Sequence, residues 1–306
     1  MVWRDLDGVL IADKPGGVSS NGFLQTLRRL YRAAKGGHGG TLDPLATGLL
    51  VVCFGEATKF SSWLLESGKV YEGRIALGAR TTTADAEGEV IERAPVALEG
   101  IDLHKVAHRF TGTILQNPPM YSALKHAGQP LYAYARRGEA VPVKAREVTV
   151  SGLSLQRLGE DHLAFRVECG TGTYVRSLAE DIAAALGTVG HLASLRRLAS
   201  GPFLLAQARS LDDLAADSEA GRDGVLLPPD CLPYALPRLA LDGAMTTALS
   251  HGQVVRPDAV PGRYRVHGPA GSFVGVAELG EDGGLRPVRL MSRREGAGAH
   301  EKAFRS

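Results

Sequence analysis

The sequence predicts an α+β fold, and three observations predict it. Apolar runs of strand type, Gly8–Ala12 and Gly48–Phe54, flank a segment in which Leu24, Leu27, Leu30 and Tyr31 recur at helical spacing. A second set of strand-type runs, 69–77, 148–155 and 163–169, follows with turn residues between them. Prolines then crowd 228–237, and beyond them short strand-like pieces separated by turns suggest a small β-rich unit. With 306 residues the chain has room for two domains of ordinary size.

The first strand ends at Asp13-Lys14-Pro15-Gly16-Gly17, a turn. Ser19, Ser20 and Asn21 are candidate N-caps for the helix that follows, whose arginines fall mostly between its apolar positions. That helix leads into the stretch the chain is organised around, Lys35 to Glu56. It opens with Gly36-Gly37-His38-Gly39-Gly40 and continues Thr41-Leu42-Asp43-Pro44. Glycine permits positive φ and close approach, and the proline biases Asp43 away from helix. One carboxylate is thus carried by a glycine-rich loop that enters a core strand. Spacing alone favours a turn role for Asp43, since Asp-Pro is a common turn dipeptide.

After Gly55, the positions Ala57, Phe60, Trp63 and Leu64 have helical spacing, and 69–77 reads as a strand. Thr81, Thr83, Asp85 and Gly88 mark a turn, in which Asp85 is read as structural. A short helix is expected at Leu103–Phe110. The adjacent Pro118-Pro119 forbid regular helix in the following run. Gly170 to Thr173 precede a helix extending to about Leu186, and they would either cradle an anion or simply turn the chain. Leu192, Leu195 and Leu198 suggest another short helix, ended by Gly201-Pro202. In the C-terminal region, 251–253, 262–266 and 273–277 are read as strands.

A hydrophobic content of 44 % and a charged content of 22 % describe a globular chain. No apolar run reaches the roughly 18–20 residues of a membrane span, and the N-terminus lacks the order of a signal peptide. Cys53, Cys169 and Cys231 are widely separated, which suggests neither a zinc site nor a disulfide framework. The expectation is a cytoplasmic, reduced protein without membrane contact. Bases cluster at Arg28, Arg29, Arg32 and Lys35, at Lys125, His126, Arg136, Arg137, Lys144 and Arg146, and at Arg196 and Arg197. Each cluster suits either a phosphate backbone or a solvated face. Walker A, G-x-S-x-G, H-E-x-x-H and dinucleotide-binding patterns are missing. What remains is one presented carboxylate, aromatic residues and arginines, with no expected cofactor or metal.

The run His38-Gly39-Gly40-Thr41-Leu42-Asp43-Pro44-Leu45-Ala46-Thr47-Gly48 resembles the signature of the bacterial TruB family of tRNA pseudouridine synthases. So do the Thr-x-Thr-x-Asp-x-x-Gly turn after a Lys-x-Tyr strand, the Pro-Pro-Met-Tyr-Ser-Ala segment, and Gly172-Thr173-Tyr174-Val175-Arg176. One departure is Gly170-Thr171, where the family usually has Ser-Lys. The resemblance extends from about residue 7 to 203. It implies a mixed, largely antiparallel sheet flanked by helices, spanning 1–230. A basic RNA-binding insertion at about 125–144 is also implied, in which Tyr132 and Tyr134 could stack on bases or pack beneath it. A PUA-like unit at 234–292 and a disordered tail at 293–306 complete the expected division.

The resemblance also implies chemistry: isomerisation of uridine-55 to pseudouridine in the T-arm of tRNA, with the base flipped out of its stack. Asp43 maps onto the catalytic residue, attacking C1′, attacking C6 or acting as a base. Tyr71 maps onto the tyrosine that packs on the flipped base, a candidate acceptor of the C5 proton. Arg176 maps onto the arginine that pairs with the aspartate. His38, Tyr174, Leu195 and Lys14 are expected substrate contacts, with His38 filling the place the base vacates. The expected partner is a tRNA T-arm rather than DNA, met by a monomer. Two alternatives are a non-catalytic RNA-binding or RNA-folding protein, and a relative of the guide-RNA-dependent synthases.

Overall fold

The computed structural model describes residues 2–122, 124–135, 137–139 and 141–292. The expected tail, Arg136 and the side chain of Tyr132 lie outside the described residues. In chain order, the first half holds β1 (Gly8–Lys14), α1 (Ser20–Leu30), β2 (Gly36–His38), β3 (Thr47–Phe54), α2 (Ser62–Leu65), β4 (Lys69–Leu77), β5 (Ala79–Thr81), β6 (Val90–Arg93), α3 (Leu103–Arg109) and β7 (Gly112–Gln116). Next come β8 (Lys125–His126), β9 (Gln129–Pro130) and α4 (Leu131–Ala135). Then come β10 (Arg146–Arg157), β11 (His162–Cys169), α5 (Val175–Ala185), β12 (Gly190–Ser200), β13 (Phe203–Leu204), α6 (Leu211–Ala216) and α7 (Glu219–Gly224). The C-terminal region holds β14 (Arg238–Ala240), α8 (Gly243–Ser250), β15 (Gly262–His267), β16 (Phe273–Leu279) and β17 (Leu285–Leu290).

Among the described residues the main sheet has nine strands, in the order β1-β3-β12-β4-β11-β10-β7, with β2 against β3 and β13 against β12. Its pairings are antiparallel except where β12 meets β3. The continuous apolar character of β1 and β3 has a physical cause: both faces are buried. Val9, Ile11, Leu49, Val51 and Cys53 enter one core with Phe60, Leu64 and Leu232. Leu10, Ala12, Leu50, Val52 and Phe54 enter another, against Phe23, Leu24 and Leu27 of α1 and Tyr31 at its end. Ser19 caps α1, accepting from the Gly22 amide. A third core lies between β4, β10, β11, β12 and α5.

β3 and β12 meet at Thr47–Gly48 opposite Arg196–Arg197. Gly48 has φ +97°, and a Cβ there would lie 2.4 Å from the Arg197 carbonyl oxygen. Gly48→Ala is therefore expected to cost roughly 3 kcal/mol or more, from strain added to backbone collision, and a chemical-denaturation midpoint close to wild type would refute this account of the junction.

Two expectations are corrected, and one element was not anticipated. Leu192–Leu198 is not a helix but the centre of β12. The strand carries bulges between Leu192 and Ser194 and between Arg197 and Ala199. The first bulge adds a residue to the two-residue alternation, so the buried Leu192 and Leu195 fall three apart, and Leu198, the extra half-buried residue of the second bulge, continues that spacing and completes the imitation of a helix. Residues 251–253 form the turn that ends α8 rather than a strand, and α8 itself was not anticipated. The C-terminal four-stranded sheet, β14-β15-β16-β17, closes its own core around Leu249, Val266 and Leu285. It also lends Val276 and Phe273 to the core that holds Val9 and Phe60.

Candidate active site

Asp43 sits on the loop between β2 and β3, and four neighbours hold that loop. The buried Lys14 ammonium donates to the carbonyls of Pro15 (2.8 Å), Val18 (2.7 Å) and Pro44 (3.4 Å). The Gly17 amide also donates to the Pro44 carbonyl, at 2.9 Å. Ser20, at the start of α1, receives the Leu42 amide (2.7 Å) and donates to the Leu42 carbonyl (2.8 Å). Arg197 donates to the Gly40 carbonyl at 3.1 Å, where φ of Gly40 is +104°. The glycine-rich run is thus a backbone surface that a lysine, a serine and an arginine grip through its carbonyls and amides.

Arg176 occupies the first turn of α5. The side-chain amide of Gln116 clasps the residue before that helix: it accepts from the Tyr174 amide (2.7 Å) and donates to the Tyr174 carbonyl (3.0 Å). Ser177 donates to the Asn117 carbonyl at 2.9 Å, tying the Pro-Pro segment to the same helix start. The guanidinium is then fully engaged. Its Nε lies 2.9 Å from Asp43 Oδ2, its Nη1 donates to the Thr83 carbonyl (3.0 Å) and its Nη2 to the Tyr121 carbonyl (2.8 Å). Asp85 Oδ2 stands 3.8 Å from Nε. The Arg176 side chain is 6 % exposed whereas that of Asp43 is 41 % exposed, so the arginine is floor and the carboxylate faces the opening.

The opening is a cleft of about 550 Å³ lined by Asp43, Tyr71, Tyr174, Arg176 and Leu195, among others. Burial pushes the Asp43 carboxyl above the ordinary aspartate range; Arg176 pulls it down and Asp85 adds to the rise. Burial likewise raises the Tyr71 phenol, opposed by Arg197. It lowers the Lys14 ammonium and, together with Arg197, the His38 imidazole.

Five of the seven residues singled out in the sequence therefore line one cleft. Lys14 and His38 do not line it. Lys14 spends its donors on main-chain carbonyls, and His38 ends β2 with its Nδ1 buried and unpartnered among the described residues. Asp85 has its turn role, accepting from Thr83 Oγ1 and from the Glu87 amide at 3.1 Å, and it also lines the cleft. Sequence reasoning passed over Thr83, Glu87, Tyr121, Ser122 and Thr173 as lining residues. The Thr-rich turn and the Pro-Pro-Met-Tyr-Ser segment were the available signals. Gln116 carried none, because a buried amide has no local pattern.

The basic clusters divide on inspection. Arg196 and Arg197 are not a phosphate patch: Arg196 is bidentate to Asp13 (2.6 and 3.2 Å) and Arg197 is buried. Arg28 stacks on Trp3 and donates to the Ala33 carbonyl, and Arg32 pairs with Glu219. Arg29 and Lys35 remain exposed. Around α4, Arg137 pairs with Glu139, and Tyr134 donates to the His126 carbonyl, so Tyr134 packs against its own segment.

Residues 28–175 match the family model described as the TruB family pseudouridylate synthase N-terminal domain. Residues 176–232 match the tRNA pseudouridylate synthase B C-terminal domain, and 237–291 match the pseudouridine synthase II TruB C-terminal model. A tRNA pseudouridine synthase B of Burkholderia mallei (strain NCTC 10247) is 49 % identical over 299 residues, 95 % of this chain and 99 % of that relative. One of Azoarcus sp. (strain BH72) is 48 % identical over 294 residues, 96 % of this chain and 97 % of its own length. Among solved structures, an archaeal box H/ACA sRNP Nop10–Cbf5 complex shares the fold, with a TM-score of 0.70 at 23 % identity over 94 % of this chain and 86 % of that one. No helix among the described residues is long and apolar enough to cross a membrane.

Proposed function

Since the chain belongs to the TruB family of pseudouridine synthases, we propose that it is a tRNA pseudouridine synthase that converts uridine-55 in the T-arm to pseudouridine. The observation that carries this reading is the ion pair between Asp43 and a buried Arg176 on the floor of a cleft that also presents Tyr71 and Leu195. The isomerisation breaks N1–C1′, forms C5–C1′ and moves one proton from C5 to N1, so it conserves atoms and oxidation state. Asp43 starts it, at C1′, at C6 or as a base. Arg176 keeps that carboxylate ionised and aimed. Tyr71 packs on the uracil, Leu195 and Tyr174 line its pocket, and His38 fills the gap the base leaves in the loop. Lys14 serves the substrate indirectly, by holding Pro44. We assign 1–230 to the catalytic unit and 234–292 to an accessory PUA-like unit. The decisive experiment maps pseudouridine in a tRNA transcript incubated with the purified protein. Modification confined to position 55 is expected, and no product, or product elsewhere, would overturn the assignment.

The pH dependence follows from the burial of Asp43. Its carboxyl is raised, so the active ionised form is lost, as pH falls, at a higher pH than for a free aspartate. Single-turnover rates are expected to decline on an acid limb lying above the ordinary value of 3.8. Full activity down to that pH would contradict the role of the charge.

Phosphate contacts are assigned to Arg29 and Lys35, exposed bases whose side chains meet no partner among the described residues. Replacing Arg29 and Lys35 together by glutamine is expected to flatten the slope of log affinity against log salt by about 1 to 2. An unchanged slope would make both residues part of a solvated face.

A further inference from the structure

Arg197 stands out among the charges around the cleft. It is 1 % exposed, and its guanidinium donates to the carbonyls of Leu49 (2.7 Å, from Nε) and Gly40 (3.1 Å, from Nη2), both neutral. Arg176 and Arg196 each meet a carboxylate, whereas Arg197 enters no such ion pair among the described residues. Its charge adds to the lowering of Lys14, His38 and Lys69 and opposes the rise of Tyr71. A buried charge without a counter-ion is costly, and two carbonyls alone are a modest return. Arg197 lies directly opposite Tyr71 in the register of β12 on β4, so the two side chains leave the same face of the sheet, and the guanidinium charge pulls the Tyr71 phenol down against the burial that raises it. Cys169 on β11 and Asp43 on the loop also bear on Tyr71, and both raise its phenol.

We propose that Arg197 is a positioning residue that fixes the Tyr71 hydroxyl and stabilises its phenolate, equipping the tyrosine to take the proton from C5. This rests on the function proposed above and adds a named assistant to its last step. In that step the C5–H bond breaks and the proton passes to the Tyr71 oxygen, which becomes the neutral phenol. The electron pair forms the C5=C6 bond, the C6=N1 pair moves onto N1, and N1 takes a proton from solvent. The guanidinium offsets the burial that otherwise opposes a phenolate at this place.

The test places 3-fluorotyrosine at position 71 and follows its ionisation by fluorine NMR in the RNA-free protein, in wild type, Arg197→Met and Arg197→Lys. Loss of the charge in Arg197→Met is expected to raise the ionisation midpoint by about one pH unit or more. In parallel, single-turnover tritium release from T-arm RNA labelled at C5 is expected to fall on the order of 10²-fold. The rise of that rate with pH should move to higher pH, and Tyr71→Phe should add little further loss. A midpoint that stays put in Arg197→Met, or a rate loss that is the same at every pH, would leave Arg197 a purely structural clamp and overturn the proposal. Should Arg197→Met not fold, Arg197→Lys decides. A lysine keeps the charge without the planar fork, so an intermediate midpoint and rate support the proposal, and wild-type behaviour in both overturns it. The titration needs no RNA, so it judges Arg197 even if the wild-type protein forms no pseudouridine, a result that would instead defeat the proposed function.

Discussion

Asp43→Asn is expected to abolish turnover, with pseudouridine formation falling on the order of 10⁴-fold or more, the scale for removing a reacting group. Asparagine keeps the size and the hydrogen-bonding edge of the side chain but can neither attack nor take a proton. Binding of tRNA should persist, because a carboxylate repels phosphate and its removal takes nothing from the RNA contact. Stability gives a second readout with a definite sign. The folded protein raises the Asp43 carboxyl, so folding favours its protonated form. That contribution is present in full below the unfolded value and is lost as pH rises through the folded one. Near neutral pH the ionised Asp43 therefore costs stability, and Asp43→Asn should melt at or above the wild-type temperature. The difference should shrink in acid, where Asp43 is already protonated. Turnover near the wild-type rate would remove Asp43 from the chemistry. A variant that melts well below wild type at neutral pH would mean that the carboxylate serves chiefly to hold Arg176 in place.

Arg176→Lys is expected to lose activity on the order of 10²-fold while the protein stays folded and binds RNA. The guanidinium is a junction as well as a charge: it faces Asp43, the Thr83 carbonyl and the Tyr121 carbonyl at once. Lysine carries the charge on a single ammonium, which cannot reproduce a planar fork with donors aimed at three elements. The carboxylate would be freed to rotate, and the Pro-Pro segment would lose its tie to the floor. The loss should appear in single-turnover chemistry rather than in affinity, since orientation acts on the bond-making step. It should also fail to add to that of Asp43→Asn, because the two side chains act as a unit. Normal turnover by Arg176→Lys would mean that the observed pair is not what orients the carboxylate.

By itself, the sequence determined whatever local chemistry dictates. Ser19 caps α1 because a serine ahead of an amphipathic run satisfies a free amide. Thr47–Phe54 is a strand buried on both faces because eight residues without a charge have nowhere else to go. The Thr-x-Thr-x-Asp-x-x-Gly run is a turn because its side chains bond their own backbone, and the Gly88 position leaves no room for a Cβ beside Thr83. The motif that carries Asp43 was legible for the same reason: glycines and Asp-Pro impose a loop wherever they occur.

The tertiary structure alone decided which partners those elements meet. Arg176 and Asp43 are 133 residues apart, and nothing local to either predicts that one becomes the floor beneath the other; the expectation that they pair came from the family resemblance alone. Arg28, Arg32, Arg196 and Arg197 look alike in the sequence. One stacks on Trp3, one pairs with Glu219, one grips Asp13, and one is buried against the carbonyls of Leu49 and Gly40. Lys14 stands in a turn and was an expected substrate contact, yet it is buried with its ammonium among carbonyls. Bulges made β12 imitate a helix, because a bulge is set by the neighbouring strands and not by the residues that form it. A charged side chain takes its meaning from the acceptors that folding places around it, and these come from segments too distant for any local pattern to register.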